Sequence, residues 1–264
     1  MTQSMMKERS KGTGQLALGL LLVALAGCAS SQGPDPWEPA NRKVFSFNEG
    51  FDRWVMNPVA DTWNFVFPRP VEEALGRALA NLNMPRVFVN DLLQARPKAA
   101  AKDVFRFALN SSFGWAGLFD VAGDVGFPLD DSDFGQTLGV WGVPPGPYVT
   151  FPILGPFNVR DGSGYAADIA MTPWTWVVPG FWTLGASVVR VVNLRAEADE
   201  QLEQSRKDSL DYYVFLRDAY LQYRAHKVDK RLDGRAQKSR DEDLYGTGDE
   251  DYDVEDAPSD GSFQ

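Results

Sequence analysis

FGQTLGVWGVPPGPYVTFPILGPFNVRD, residues 134–161, is the stretch around which the rest of the chain has to be arranged. It is crowded with glycine and proline, and its apolar and aromatic residues come in short runs without helical spacing. Tyr148 to Val159 has the composition of short extended segments. Pro152 and Pro156 argue against a central strand, because proline cannot donate to a ladder. The expectation is an ordered loop region over 113–164 with a small hairpin at most. A connection of that length inside a compact domain points to function.

Helical patterns flank this region. Upstream, Asp35-Pro36 reads as a helix start. Val44, Phe47, Phe51, Trp54 and Val55 then form one apolar face, with Pro58 ending or kinking the helix. Val71, Leu75, Ala78, Leu79 and Leu82 predict a second helix. Pro85 opens a short third through Val87, Phe88 and Leu92, and Pro97 opens a fourth carrying Val104, Phe107 and Ala108. Downstream, residues 165–172 predict one short helix before Pro173. Residues 174–194 are the most apolar stretch of the mature chain, but Pro179-Gly180 interrupts them and Arg190 charges them. They read as a buried or membrane-dipping helix and not as a transmembrane span. Two long helices follow, over 185–205 and 209–231. The fold class expected is mainly α.

The N-terminus is a different kind of segment. Lys7, Arg9 and Lys11 precede an apolar run over 15–27. The run is too short for the ~30 Å hydrocarbon core, which takes ~20 helical residues. Residues 1–27 therefore read as a secretion signal that is removed. Leu25-Ala26-Gly27-Cys28 resembles the lipobox of bacterial lipoproteins. That resemblance implies diacylglycerol on the Cys28 sulfur, cleavage before it and an acyl group on the new amine, with 28–34 as a tether. A buried structural cysteine is the alternative. Ala29 stands where an inner-membrane retention aspartate would be, by analogy with sorting in enteric bacteria, and so points to the outer membrane.

The formal net charge is −10, and ten acidic side chains fall within 241–264, where there is no Lys or Arg. A segment so charged and so poor in apolar residues does not offset its ordering entropy, so 233–264 is expected to be a disordered acidic tail behind a folded domain over 35–232. The remaining body is close to neutral and has no electrostatic footprint for nucleic acid.

Catalytic equipment is sparse. The chain has one histidine, His226, in the basic run YRAHKVDKR, and one cysteine. Histidine–cysteine metal sites are excluded by that count. Asp130, Asp131 and Asp133 are spaced faintly like a calcium loop but lack its final glutamate; a turn or capping cluster is the other reading. A carboxylate pair acting on a glycan stays open. No catalytic residue, cofactor or metal is assigned. The aromatic content is 12%. Eight tryptophans, from Trp37 to Trp182, suit either a core or a membrane–water interface. Short, proline-broken amphipathic helices on a lipid anchor favour a body lying in one leaflet.

Two stretches carry a resemblance to a known family. Asp35-Pro36-Trp37-Glu38-Pro39-Ala40-Asn41-Arg42, followed by Phe45, Phe47-Asn48 and Asp52, resembles the opening motif of the MlaA/VacJ outer-membrane lipoproteins. Phe134-Gly135-Gln136-Thr137-Leu138-Gly139, Gly142-Val143, Gly146-Pro147-Tyr148, Pro152, Gly155 and Arg160-Asp161 resemble their central motif. The resemblance implies a ring of amphipathic helices in the inner leaflet of the outer membrane, on its periplasmic face, around a central channel. Through it, phospholipids misplaced in the outer leaflet would pass to a soluble periplasmic carrier, beside a trimeric porin and without covalent chemistry. It places Phe47 and Asn48 in the segment controlling the channel. Backbone polar groups of a Gly/Pro-rich segment cannot be satisfied by lipid, so 134–161, with Gly135, Gly139, Gly142, Gly146, Tyr148 and Gly155, is the candidate wall and hinge. Arg160 and Asp161 would meet a headgroup or pair with each other. An envelope hydrolase and a passive porin-associated scaffold are the rival readings.

Overall fold

The computed structural model describes residues 33–245. The signal segment, Cys28 and the end of the acidic tail lie outside the described residues.

Helix α1 (Glu38–Phe51) starts two residues later than Asp35-Pro36 suggests, and Asp35 does not cap it. Its carboxylate instead accepts hydrogen bonds from Asn41 (2.8 Å) and from the Tyr213 hydroxyl. Pro58 neither ends nor sharply breaks the run. The proline has no N–H to reach back to the preceding turn, so the chain widens into a π turn over Asp52–Met56 before α2 (Asn57–Val66).

Helix α3 (Arg69–Leu93) corrects the expected boundary at Pro85, which lies inside a continuous helix. Packing along α4 (Pro97–Ser112) overrides the missing N–H, and Asn81, Met84 and Val87 are buried around the proline.

The loop reading of 113–164 also needs correction. Two short helices lie within it, α5 (Val121–Asp124) and α6 (Phe134–Val140). Both are too short to show a period. Each is started by an aspartate: Asp120 accepts from Gly123 N–H at 3.1 Å and Asp133 from Gln136 N–H at 2.8 Å. The hairpin is present, with β1 (Tyr148–Phe151) antiparallel to β2 (Gly155–Asn158) and Pro156 opposite Thr150. A two-stranded sheet has only edges, so the prolines are tolerated.

Helix α7 (Val159–Met171) begins six residues before the expected 165, because Asn158 caps it through Asp161 N–H at 2.8 Å. After α8 (Trp174–Val177), the helix expected over 185–205 is two, α9 (Gly180–Glu197) and α10 (Asp199–Asp208), joined at Ala198. The last helix, α11 (Tyr212–Tyr245), extends past 231 through residues 233–245, which were expected to be disordered. Residues 234–245, GRAQKSRDEDLY, are rich in good helix formers.

Packing neighbours close a circuit. Helix α1 packs on β1, β1 on β2, β2 on α7, α7 on α6, α6 on α3, α3 on α9 and α9 on α2; the π turn returns α2 to α1. Helix α11 braces this circuit from α6 and β2. The polarity is reversed relative to a soluble domain. Asn90, Asp91, Gln136 and Thr137 are fully buried, while Phe65 is 89% exposed and Trp54 79%. No described helix is long and apolar enough to cross a membrane.

Candidate functional site

The polar interior is held by arginine–carboxylate pairs joining segments far apart in sequence. Arg224 on α11 grips Asp133 (2.6 Å) and Asp161 (2.8 Å), tying α6 and α7 to the brace. Burial alone would raise the Asp133 carboxyl; the Arg224 guanidinium outweighs it and brings it down to about 2. Asp161 is lowered by the same balance, and burial on Arg224 is likewise outweighed by its two carboxylates, which raise it. Arg231 binds Asp130 (2.7 Å) and Gln136 (3.1 Å). Arg86 faces Asp168 at 3.2 Å and Asp131 at 3.6 Å. The calcium-like triplet is therefore a capping and pairing cluster. His226 is exposed on α11.

One carboxyl is strongly perturbed. Asp103 is raised to about 7 by burial and by neighbouring Asp91, which also hydrogen-bonds it. Yet Asp103 and Asp91 are 1% and 0% exposed. No substrate reaches this pair, so the glycan-hydrolase reading finds no cleft here.

The residues singled out in the sequence separate into groups. Phe47 is 54% exposed on α1. Asn48 holds the hairpin turn, donating to Phe151 C=O (2.9 Å) and accepting from Ile153 N–H (2.8 Å). Gly142, Gly146 and Gly155 have φ of +89°, +67° and +86°, which only glycine adopts freely. Gly135 and Gly139 are packing positions: a Cβ at Gly135 would come within 2.6 Å of Asp161, and one at Gly139 within 2.8 Å of Val228. Tyr148 is 1% exposed. Arg160 pairs with Asp161 at 3.0 Å, and both are buried.

The open space lies elsewhere. A cavity of about 510 Å³ opens between α3, α7, α8 and α9. Leu79, Leu82, Ile169, Val178, Trp182 and Leu184 give it apolar walls; Arg86, Asp168, Thr183, Ser187 and Arg190 give it a polar side. Helix α9 explains how. Thr183, Ser187 and Arg190 recur at helical spacing toward the cavity, while Phe181, Val188 and Val191 form an exposed apolar stripe. Arg190 is exposed and, among the described residues, has neither a hydrogen-bond partner nor a carboxylate within ion-pair distance. The sequence showed Arg190 only as a charge in an apolar run; the polar spacing behind it was the available signal.

A sequence profile of the family described as MlaA lipoprotein matches residues 33–227. The chain is 39% identical over 220 residues to the intermembrane phospholipid transport system lipoprotein MlaA of Escherichia coli (strain K12), covering 78% of this chain and 84% of that one. It is 35% identical over 234 residues to the protein of the same name from Haemophilus influenzae, covering 84% and 92%. A solved structure described as the structural basis for maintenance of bacterial outer membrane lipid asymmetry superposes with a TM-score of 0.67 at 33% identity, covering 74% of this chain and 98% of that one.

Proposed function

The chain belongs to the MlaA lipoprotein family, and from that premise we propose that it carries phospholipids between membranes and so maintains the lipid asymmetry of the outer membrane. The observation that supports this most directly is the amphipathic cavity within an inside-out circuit of helices. A phospholipid leaving a leaflet needs a polar path for its headgroup, because a charge in hydrocarbon is expensive, while its chains stay in apolar surroundings. The cavity offers both, and the exposed aromatics and aliphatics outside it suit burial in one leaflet.

The finer parts belong to the same reading. Residues 1–27 are a removable signal, Cys28 takes the acyl chains and 28–34 tether the domain. The domain sits at the periplasmic face of the outer membrane, beside a trimeric porin, and hands lipid to a soluble periplasmic carrier. Phe47, Asn48 and the hairpin that Asn48 holds form a movable edge of the helical circuit, away from the cavity itself. The role is a transfer without covalent chemistry.

Deleting the gene is expected to let phospholipid accumulate in the outer leaflet and to sensitise cells to detergent, both restored by the intact chain. A deletion strain with normal outer-leaflet composition and an intact barrier would reject the proposal.

A further inference from the structure

We propose that Arg190, backed by Arg86, is the point that holds the phosphodiester of a glycerophospholipid inside the cavity between α3, α7, α8 and α9. The inference rests on the transport reading above and names the part of the cargo that the site grips.

Four observations carry it. First, Arg190 points into the cavity with no partner among the described residues. The interior arginines Arg195, Arg206, Arg224 and Arg231 are each bound to carboxylates. A guanidinium left open at the mouth of a half-apolar cavity is free to take an anionic counter-charge from outside.

Second, no nearby acid is placed to neutralise it. The oxygens of Asp168 already accept from Asn90 (2.9 Å), Arg86 (3.2 Å) and the Phe134 N–H (3.1 Å). Asp131 acts on Arg190 only at a distance, and it lies 3.6 Å from Arg86. Third, Arg86 presents a second cation on the same wall, and its buried Nε has no partner among the described residues. Asp168 and Asp131 already engage Arg86, so Arg190 is the cation that stays open on this wall and Arg86 adds positive potential behind it. A phosphodiester satisfies the fork of Arg190 bidentately, which a lysine cannot reproduce.

Fourth, the rest of the cavity fits what is attached to that phosphate. Leu79, Leu82, Ile169 and Trp182 offer apolar contact for the first segments of the acyl chains. The larger hollow of about 990 Å³ between α10 and α11 does not fit, since Glu200, Asp208 and Asp211 line it and would repel phosphate. The phosphate is common to all glycerophospholipids, so the site selects for the class and not for one headgroup.

The test uses the purified full-length lipoprotein in detergent. Fluorescent phosphatidylglycerol and the matching diacylglycerol, which lacks the phosphate, are titrated and read by anisotropy. The wild type is expected to prefer phosphatidylglycerol. Arg190→Gln should weaken that binding roughly tenfold or more, the scale of a charge-assisted hydrogen bond, without changing diacylglycerol binding. Arg190→Lys should recover part of it. Because Arg190 holds no other element, Arg190→Gln should unfold at the same or a higher temperature than wild type, which separates lost binding from lost folding. An Arg190→Gln protein that keeps the preference, or a wild type that binds both lipids equally, overturns the clamp and leaves the transport reading intact. A wild type that binds neither overturns both. Excess inorganic phosphate that fully displaces the lipid would make this a free-phosphate site and reject the lipid assignment.

Discussion

Arg224 shows how single residues hold this molecule. Its guanidinium meets Asp133, the cap of α6, and Asp161 in α7, and all three side chains are largely shielded from water. Removing one member of such a group strands the others as buried charges, so Arg224→Ala is expected to cost about 3–5 kcal/mol, measured by chemical denaturation. A loss below about 1 kcal/mol would show that water reaches the pair. Asp103 behaves in the opposite sense. Its folded pKa of about 7 lies above its ordinary 3.8, so the native state holds a proton that the unfolded chain releases. Stability from this group is complete below about pH 4 and is lost as pH rises to about 7. Asp103→Asn is expected to flatten the fall in Tm between about pH 4 and 7; an unchanged slope would place the proton elsewhere. None of these partnerships was legible in the sequence. Asp133 and Arg224 are each ordinary charged residues until folding brings them together, and Arg160-Asp161 stood out as a motif without showing that it points inward. The lone histidine and cysteine were informative from the start, because they limited the chemistry whatever the fold.

At the scale of elements, legibility followed length. Long amphipathic runs such as α3 and α11 were visible through their periodicity, although their ends were not. Pro85 was expected to divide α3, yet packing on α4 carries the helix through it. Short elements failed for a different reason. Helix α6 has seven residues and owes its start to a single aspartate cap, so no period announces it. A hairpin at most was allowed by the composition of Tyr148 to Val159, despite its prolines, and its fastening was not visible. Asn48 reaches both sides of the turn from α1, more than a hundred residues away. Asn48→Ala removes both hydrogen bonds, each worth about 1 kcal/mol. It is expected to accelerate amide exchange across Tyr148–Asn158 while leaving α3 and α4 protected. Uniform acceleration throughout the chain would mean that Asn48 supports the whole fold and not one edge of it.

At the scale of the whole molecule, the governing fact is where the polarity lies. Trp176 and Val177 are each 77% exposed and Phe181 is 67%, whereas Asn158 and Asn193 are 1%. A water-soluble domain with that distribution would aggregate, because contiguous apolar surface in water associates. In a leaflet the same surface is solvated by acyl chains, while the polar interior satisfies itself through the arginine pairs and the cavity. Membrane residence should therefore belong to the body of the protein itself, in addition to any contribution from the acylation proposed at Cys28. The two contributions separate if the chain is exported behind an ordinary cleavable signal with Ser in place of Cys28. The unacylated protein is expected to sediment with membranes after cell breakage and to need detergent, not salt, for release, since the contact is apolar and unscreened. Charged substitutions at Trp176 and Phe181 together should shift it toward the soluble fraction by placing charge on the exposed apolar surface. Recovery of the unacylated wild-type chain as a detergent-free soluble monomer would show that the exposed apolar surface is not lipid-facing, and the passage for headgroups would then lose the membrane setting on which it depends.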